Sequence, residues 1–321
     1  MKAISVSKYG GPEVLALVEL PMPEPVEGQI LIRVEAAGVN PVDTYLRSGA
    51  QGYAPPLPFT PGMDGSGVVV SVGPGVRGFE PGMRVYTAGT VTGTYAEFCL
   101  GEVERTFPLP DGLDWAQGAS LGVPYFTAAR ALFTRGRTAA GECVLIHGAT
   151  GGVGLAALQL LRSGEYRVFG TAGTESGAAL VEDQGARCFD HRDPGRFDAI
   201  RRAAGEGVDL IVEMLADANL DGDLKILAPG GRVVVVGSRG RIEIAPRNLM
   251  GVEGAVLGVR MPRSAPEDRR EYARRIKDGV ASGTVNPVVA RRFPMTDGPE
   301  AHRAVMTAGH RGNIVLNVGG D

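Results

Sequence analysis

The chain has 321 residues, 44% of them hydrophobic, which is enough for two ordinary domains with sizeable cores and argues against disorder. Its formal net charge of −3 gives no electrostatic case for a nucleic-acid or membrane-surface binder. Glycine is abundant at 48 residues, which suits tight turns and phosphate sites lined by backbone.

Met1 to Gly10 holds no apolar run that reads as a signal peptide or a membrane span. Up to about residue 115 the pattern is short β-like runs broken by Gly and Pro: Gln29 to Val34, Gly67 to Val72, Arg84 to Tyr86 and Tyr95 to Leu100. Such spacing predicts a compact antiparallel barrel. Pro21 to Pro25 reads as a stiff connector. From about residue 118 the texture changes. Cys143 to Gly148 is an apolar strand followed by glycines and a helical stretch, Val153 to Arg162. Arg167 to Thr171, Val208 to Met214 and Arg232 to Gly237 are further apolar strands, as a parallel sheet covered on both faces requires. Gly254 to Met261 reads as the last strand of that sheet, and a charged helix follows from Pro266 to Ser282. Gly312 to Val318 closes the chain as a short strand. The fold class is therefore α/β: a barrel-like domain over residues 1–117, a doubly wound Rossmann domain over 118–262, and a return to the barrel over 263–321. Cys99, Cys143 and Cys188 are too scattered for a disulfide framework or a CxxC metal site. Each reads as a small buried residue rather than a nucleophile, and a cytoplasmic location is expected.

The strongest chemical signal is His147-Gly148-Ala149-Thr150-Gly151-Gly152-Val153-Gly154, which joins a strand to a helix. Ala149, Gly151 and Gly154 occupy the three positions of the dinucleotide fingerprint, with Ala in the first. Gly151 admits a pyrophosphate to the backbone, Gly154 lets helix and strand pack closely, and the helix N-terminus supplies N–H donors to the anion. The competing reading is a tight turn without a ligand. After the second strand, Gly170-Thr171-Ala172-Gly173-Thr174 carries no carboxylate at its tip, and Glu175 starts the next helix. A carboxylate there would hold a ribose hydroxyl and repel a 2′-phosphate, so its absence favours NADPH/NADP over NAD. His191 and Arg192 are candidate phosphate donors. His147 reads as a core histidine, and His302 and His310 show no partner in the sequence.

Several segments resemble, in order and over nearly the whole chain, the zeta-crystallin-type quinone oxidoreductases of the medium-chain dehydrogenase/reductase superfamily. They are Gly38 to Gly49 (GVNPVDTYLRSG), Ala149 to Gly154, Gly170 to Thr174, Asp190-His191-Arg192, Glu213 to Ala216 and Val236 to Gly240. The resemblance implies a GroES-like catalytic domain, with the nicotinamide in a cleft between the domains. It implies cofactor contacts at Tyr45, at Thr150, Gly151, Gly152 and Val153, and at Gly173, His191 and Asn219. Further contacts are implied at Val236, Gly237, Ser238 and Arg239, and at Val259, Arg260 and Met261. Asn40 and Asp43 share the catalytic loop with Tyr45. Related bacterial enzymes carry a second tyrosine two residues after the Arg-Ser-Gly, where Gln51 stands here, and Tyr53 is the substitute at hand. They also carry a basic residue where Gly177 stands. Zinc-dependent relatives use Cys and Gly-His-Glu where this chain has Asn40 and Gly62-Met63-Asp64, so no metal is expected.

The activity expected is NADPH-dependent reduction of a quinone without zinc, with positioning and water exclusion as the protein's part. Two alternatives stay open. One is a zinc-free enal or enoyl-thioester reductase, with an enone-like acceptor and Tyr45 as proton donor. The other is an NADPH-binding structural or RNA-associated protein. Its basic face would have to come from Arg263 to Lys277, where Arg269, Arg270, Arg274 and Arg275 are interleaved with acids and read as a solvated helix. The apolar last strand would expose unpaired backbone as a sheet edge, so a homodimer or homotetramer is expected.

Overall fold

The structure, a computed structural model, describes residues 1–319. It divides into two compact units. The first comprises Met1–Phe126 and the chain from Asn286 onward, and the second Thr127–Val285.

The first unit is built on a seven-stranded sheet. Its order runs Val289–Pro294, Asn313–Asn317, Gln29–Val39, Asp64–Val72, Arg84–Thr87, Thr106–Pro108, with Phe98–Glu102 also pairing to Gln29–Val39. All the pairings are antiparallel except that of Val289–Pro294 with Asn313–Asn317, which is parallel. The long central strand Gln29–Val39 alternates between its neighbours through two register shifts, which give it the bend a barrel wall needs. Its inward residues Ile30, Ile32, Val34 and Val39 join Val69, Val85, Ile314 and Leu316 in one core. A separate hairpin, Lys2–Val6 with Leu15–Glu19, was not foreseen from the sequence. Neither was the helix Pro41–Ser48.

The second unit is a six-stranded, all-parallel sheet. In space the strands lie Arg187–Asp190, Arg167–Ala172, Cys143–Ile146, Val208–Glu213, Leu227–Val235, Ala255–Gly258. In order of sequence this is 3-2-1-4-5-6, so the direction of winding reverses between the first and fourth strands. Every residue of Cys143–Ile146 is buried, as expected of a strand with helices on both faces. The expected last strand is shorter than its apolar run, four residues at the sheet edge.

The compact units do not divide where the change of texture suggested. The break falls inside the helix Gly122–Ala129 rather than at residues 117/118, and at Val285/Asn286 rather than at 262/263. The reason is packing. The helix Pro266–Ala281 buries Tyr272 and Ile276 and lies against Gly152–Leu161 within the second unit, a tertiary contact that leaves no mark in local composition.

Candidate functional site

The glycine-rich turn expected to bind phosphate has the local geometry its residues demand. The strand ends at Ile146 and the helix Gly152–Leu161 begins after Gly151 as N-cap. Gly148 takes a positive φ of 57° to make the turn. A Cβ on Gly154 would meet the Gly148 carbonyl oxygen at 2.4 Å and the Ala149 Cα at 2.7 Å, so that glycine is required by packing. A Cβ on Gly151 would meet only the Gly148 oxygen, at 3.5 Å, so the turn is open on that side. The first helical hydrogen bond runs from Leu155 N to Gly151 O, which leaves the N–H groups of Gly152, Val153 and Gly154 ahead of the helical ladder. An open backbone cradle with three donors at a helix N-terminus fits a pyrophosphate.

The expected cofactor residues of the second unit lie near the carboxyl ends of the same sheet's strands, whereas Tyr45 is on the helix Pro41–Ser48 of the first unit. Gly173 packs against the His191 ring, where an added Cβ would sit 2.3 Å from Nε2. His191 N donates to the Ala172 carbonyl at 3.0 Å. Burial, opposed by the Asp190 charge, holds the His191 imidazole below its ordinary pKa. Thr174 caps the helix Glu175–Asp183 by accepting from Gly177 N at 3.0 Å, which leaves the strand tip uncharged. Arg192 forms a two-pronged ion pair with Asp190, at 2.8 to 3.2 Å, on the surface. Gly237 lies so close to Met214 that a Cβ would meet its carbonyl oxygen at 2.5 Å. Val236 N donates to Glu213 O at 2.8 Å, and Arg239 N to Asp217 Oδ1 at 2.7 Å beside Ser238. Val259 N donates to Val235 O at 3.1 Å, Arg260 follows, and Met261 is buried.

Sequence reasoning missed a buried cluster beneath these loops. His147 Nε2 lies 2.9 Å from Asp223 Oδ1 and 3.6 Å from Glu213 Oε2, with all three side chains buried. Glu213 also accepts from Asn219 Nδ2 at 3.2 Å and from Leu215 N. Asn219 thus arrives at the site already tied down, with Arg196 Nη2 donating to its Oδ1 at 3.2 Å. The one available signal was Glu213 itself, a carboxylate closing a run of apolar strand residues.

In the first unit, Asn40 precedes the helix Pro41–Ser48 as N-cap, and its N–H donates to Asp43 Oδ2 at 2.8 Å. The Asn40 amide donates in turn to Asp64 Oδ2 at 2.8 Å, and Val123 N donates to Asp64 Oδ1 at 2.7 Å. Asn40 and Asp43 are buried, whereas Tyr45 is half-buried. Burial pushes the Asp43 carboxyl up to about 7 despite the Asn40 donor, and pushes Asp64 well up too. The Tyr53 ring stacks on that of Tyr45 with centroids 6.4 Å apart. Arg47 completes the buried polar set, with Nη1 3.1 Å from His302 Nδ1, whose Nε2 is 3.1 Å from the Tyr95 hydroxyl. His302 therefore has partners that the sequence did not reveal, and His310 Nδ1 pairs with Thr307 O at 2.8 Å. A cavity of about 570 Å³ in this unit is lined by Leu46, Pro55, Phe59, Met63 and Val91 among others.

The residues where zinc relatives carry ligands are thus an amide and a thioether beside a carboxylate already committed to Asn40 and Val123. That set does not fit zinc, which takes thiolate, imidazole and free carboxylate donors. Burial also disfavours the thiolate at each cysteine. Burial pushes the Cys99 thiol up to about 12 and Cys188 to about 11, and raises Cys143 as well.

A glycine-rich turn at the switch point of a 3-2-1-4-5-6 sheet, inserted in sequence into a GroES-like antiparallel unit, defines the class: an oxidoreductase of the medium-chain dehydrogenase/reductase superfamily, which uses a nicotinamide cofactor. Comparison with known proteins narrows it. Residues 26–111 match the alcohol dehydrogenase GroES-like domain, and residues 184–316 match the family described as zinc-binding dehydrogenase. The quinone oxidoreductase of Rattus norvegicus is 48% identical over 98% of this chain and 97% of its own. That of Homo sapiens is 45% identical with the same coverage. A mycobacterial protein solved as an NADPH complex superposes with a TM-score of 0.90 at 31% identity, over 99% of this chain and 100% of its own. The chain belongs to the zeta-crystallin-type quinone oxidoreductases.

Proposed function

We propose that the chain reduces quinones with NADPH and without a metal. The observation that carries this reading is the likeness to quinone oxidoreductases over almost the whole of both chains. NADPH supplies the reducing equivalents when bound. Thr150, Gly151, Gly152 and Val153 would line its pyrophosphate, with the N–H groups of Gly152 and Val153 as donors and Gly151 N held by the Gly148 carbonyl at 3.1 Å. The uncharged tip Ala172-Gly173-Thr174 admits a 2′-phosphate, with His191 and Arg192 as cationic or hydrogen-bonding neighbours. Asn219, Val236 to Arg239 and Val259 to Met261 frame the remaining strand ends. In the first unit Asn40, fixed by Asp64, and Tyr45, stacked with Tyr53, are the polar groups expected nearest the acceptor. The mainly apolar cavity beside Leu46 and Met63 suits a flat quinone ring. A quinone needs little activation, which agrees with a donor set unsuited to zinc.

Steady-state assays pairing NADPH or NADH with a quinone or an enone test this directly. Quinone turnover with NADPH is expected to dominate, and exhaustive chelation to leave the rate unchanged. Faster reduction of the enone would instead favour the enal or enoyl-thioester reading. The RNA-associated reading gains no support from the helix Pro266–Ala281. Arg274 and Arg275 pair with Glu271 and Asp278, and Arg130 with Asp268. A cytoplasmic setting agrees with three free cysteines, and among the described residues no helix is long and apolar enough to cross a membrane.

For assembly we propose a homodimer or homotetramer that uses the edge strand Ala255–Gly258. Val256 is exposed there. In this parallel pairing the Val259 N–H turns inward to Val235 O, so by alternation the Val256 N–H turns outward. Arg135 Nε covers the Gly258 carbonyl at 3.0 Å, but the Val256 backbone remains available to a second copy.

A further inference from the structure

The cluster under the cofactor loops holds more negative charge than a dry interior tolerates. Glu213 Oε2 and Asp223 Oδ2 are fully buried and have no hydrogen-bond donor. Arg196 Nε is likewise buried without an acceptor, while the polar atoms around His147 fit one arrangement of hydrogens. Gly148 N donates to Thr171 Oγ1 at 3.1 Å. The Thr171 hydroxyl, 3.3 Å from His147 Nδ1, then donates to that nitrogen. In this arrangement His147 is neutral, with its proton on Nε2 aimed at Asp223 Oδ1. Burial also lowers the His147 pKa, in keeping with a neutral ring. Arg196 is the cation facing the pair from the helix Arg196–Ala204. Phe197 from the same helix packs edge-on against the His147 ring. His191 lies near enough to feel His147, and Asn219 completes the surroundings from the helix Ala216–Ile226. With one proton on the two carboxyls, their single net charge is balanced by Arg196. With none, a second negative charge is left uncompensated.

We propose that Glu213 and Asp223 share one proton, and that the chain from this pair through His147 and Thr171 to Gly148, and through Asn219 to its helix, makes them positioning residues for the nicotinamide cofactor. This rests on the cofactor reading above. Loss of the shared proton sets two like charges against each other where Glu213 grips Asn219 and Asp223 grips His147. The repulsion displaces one carboxylate, and with it the anchor it provides to that end of the cradle. Burial pushes both carboxyls up to about 7, so the loss falls within the working range of pH. The pair titrates as a unit, and its last proton leaves at the higher pH. The sign follows from linkage. The folded state holds protons that the unfolded chain has released between about pH 4 and about pH 7, so the contribution to stability falls as pH rises through that range.

The test uses Glu213→Gln and Asp223→Asn, whose amides imitate the protonated pair at every pH. Dissociation constants for NADPH, read by nucleotide fluorescence, are compared at about pH 6 and about pH 8.5. The wild type should weaken about fivefold more than either variant across that interval, the equivalent of half to one pKa unit of coupling. The 2′-phosphate and His191 titrate in all three proteins and cancel in the ratio. The melting temperature of the nucleotide-free protein gives a readout independent of the cofactor. The advantage of wild type over Glu213→Gln should shrink as pH rises from about 4 to about 7 and level off above it. Parallel pH slopes in all three proteins overturn the proposal, and so does elemental analysis showing a stoichiometric divalent cation bound by the same oxygens. Absence of NADPH binding by wild type at either pH ends the cofactor reading and the positioning role with it, while the melting comparison still decides the shared proton. Should Glu213→Gln fail to fold, Asp223→Asn carries both measurements.

Discussion

The two units treat their polar residues in opposite ways. In the first, Asn40, Asp43 and Asp64 lie inside the fold, and each is held by another or by backbone. In the second, the cradle from Gly148 to Val153 and the loops at Gly173 and Ser238 present backbone at strand ends, and charge is withdrawn into the layer below. A buried network resists change through desolvation, because any partner removed leaves another unpaired. An open loop resists little and is read by the ligand instead. Substitutions in the first unit should therefore cost stability before affinity, and those at the strand ends of the second should cost affinity before stability.

The largest effect expected is at Asp64. Asp64→Ala strands the Asn40 amide and the Val123 N–H, and should lower unfolding free energy by about 3 kcal/mol. Denaturant titration measures it, and a loss under about 1 kcal/mol would break the contrast. Asp43 sharpens it. Because the Asp43 carboxyl is pushed up to about 7, its contribution is full in acid and declines as pH rises toward that value. The melting temperature of wild type relative to Asp43→Asn should thus fall by a few degrees from about pH 4 to about pH 8.

At the strand tip, Thr174→Asp keeps a good N-cap while placing a carboxylate beside the expected 2′-phosphate. Ala172 is a poorer choice, since its side chain is buried in the strand. The variant should bind NADPH about tenfold more weakly with an almost unchanged melting temperature. Equal binding of NADH and NADPH by wild type would undo the argument from the missing carboxylate. The smallest effect on folding is expected at Val256. Val256→Pro removes an outward N–H and should shift light-scattering mass toward monomer while activity per subunit persists. A wild type already monomeric at micromolar concentration would end the edge-pairing proposal.

Local sequence determined a good deal. The continuous apolar runs at Cys143 and Val208, the glycines after Ile146 and the helix that follows are consequences of period, turn chemistry and close packing, all written in neighbouring residues. The uncharged tip at Ala172 to Thr174 was legible for the same reason. The partners of buried charges were not. His147, Thr171, Glu213 and Asp223 come from four separate stretches of chain, and His302 meets Arg47 across 255 residues. The unit boundary escaped similarly, because the helix Pro266–Ala281 is assigned by what it packs against. A residue type states which hydrogen bonds a side chain needs. Only the sheet order and helix packing decide which distant group supplies them, and so where a carboxyl keeps its proton.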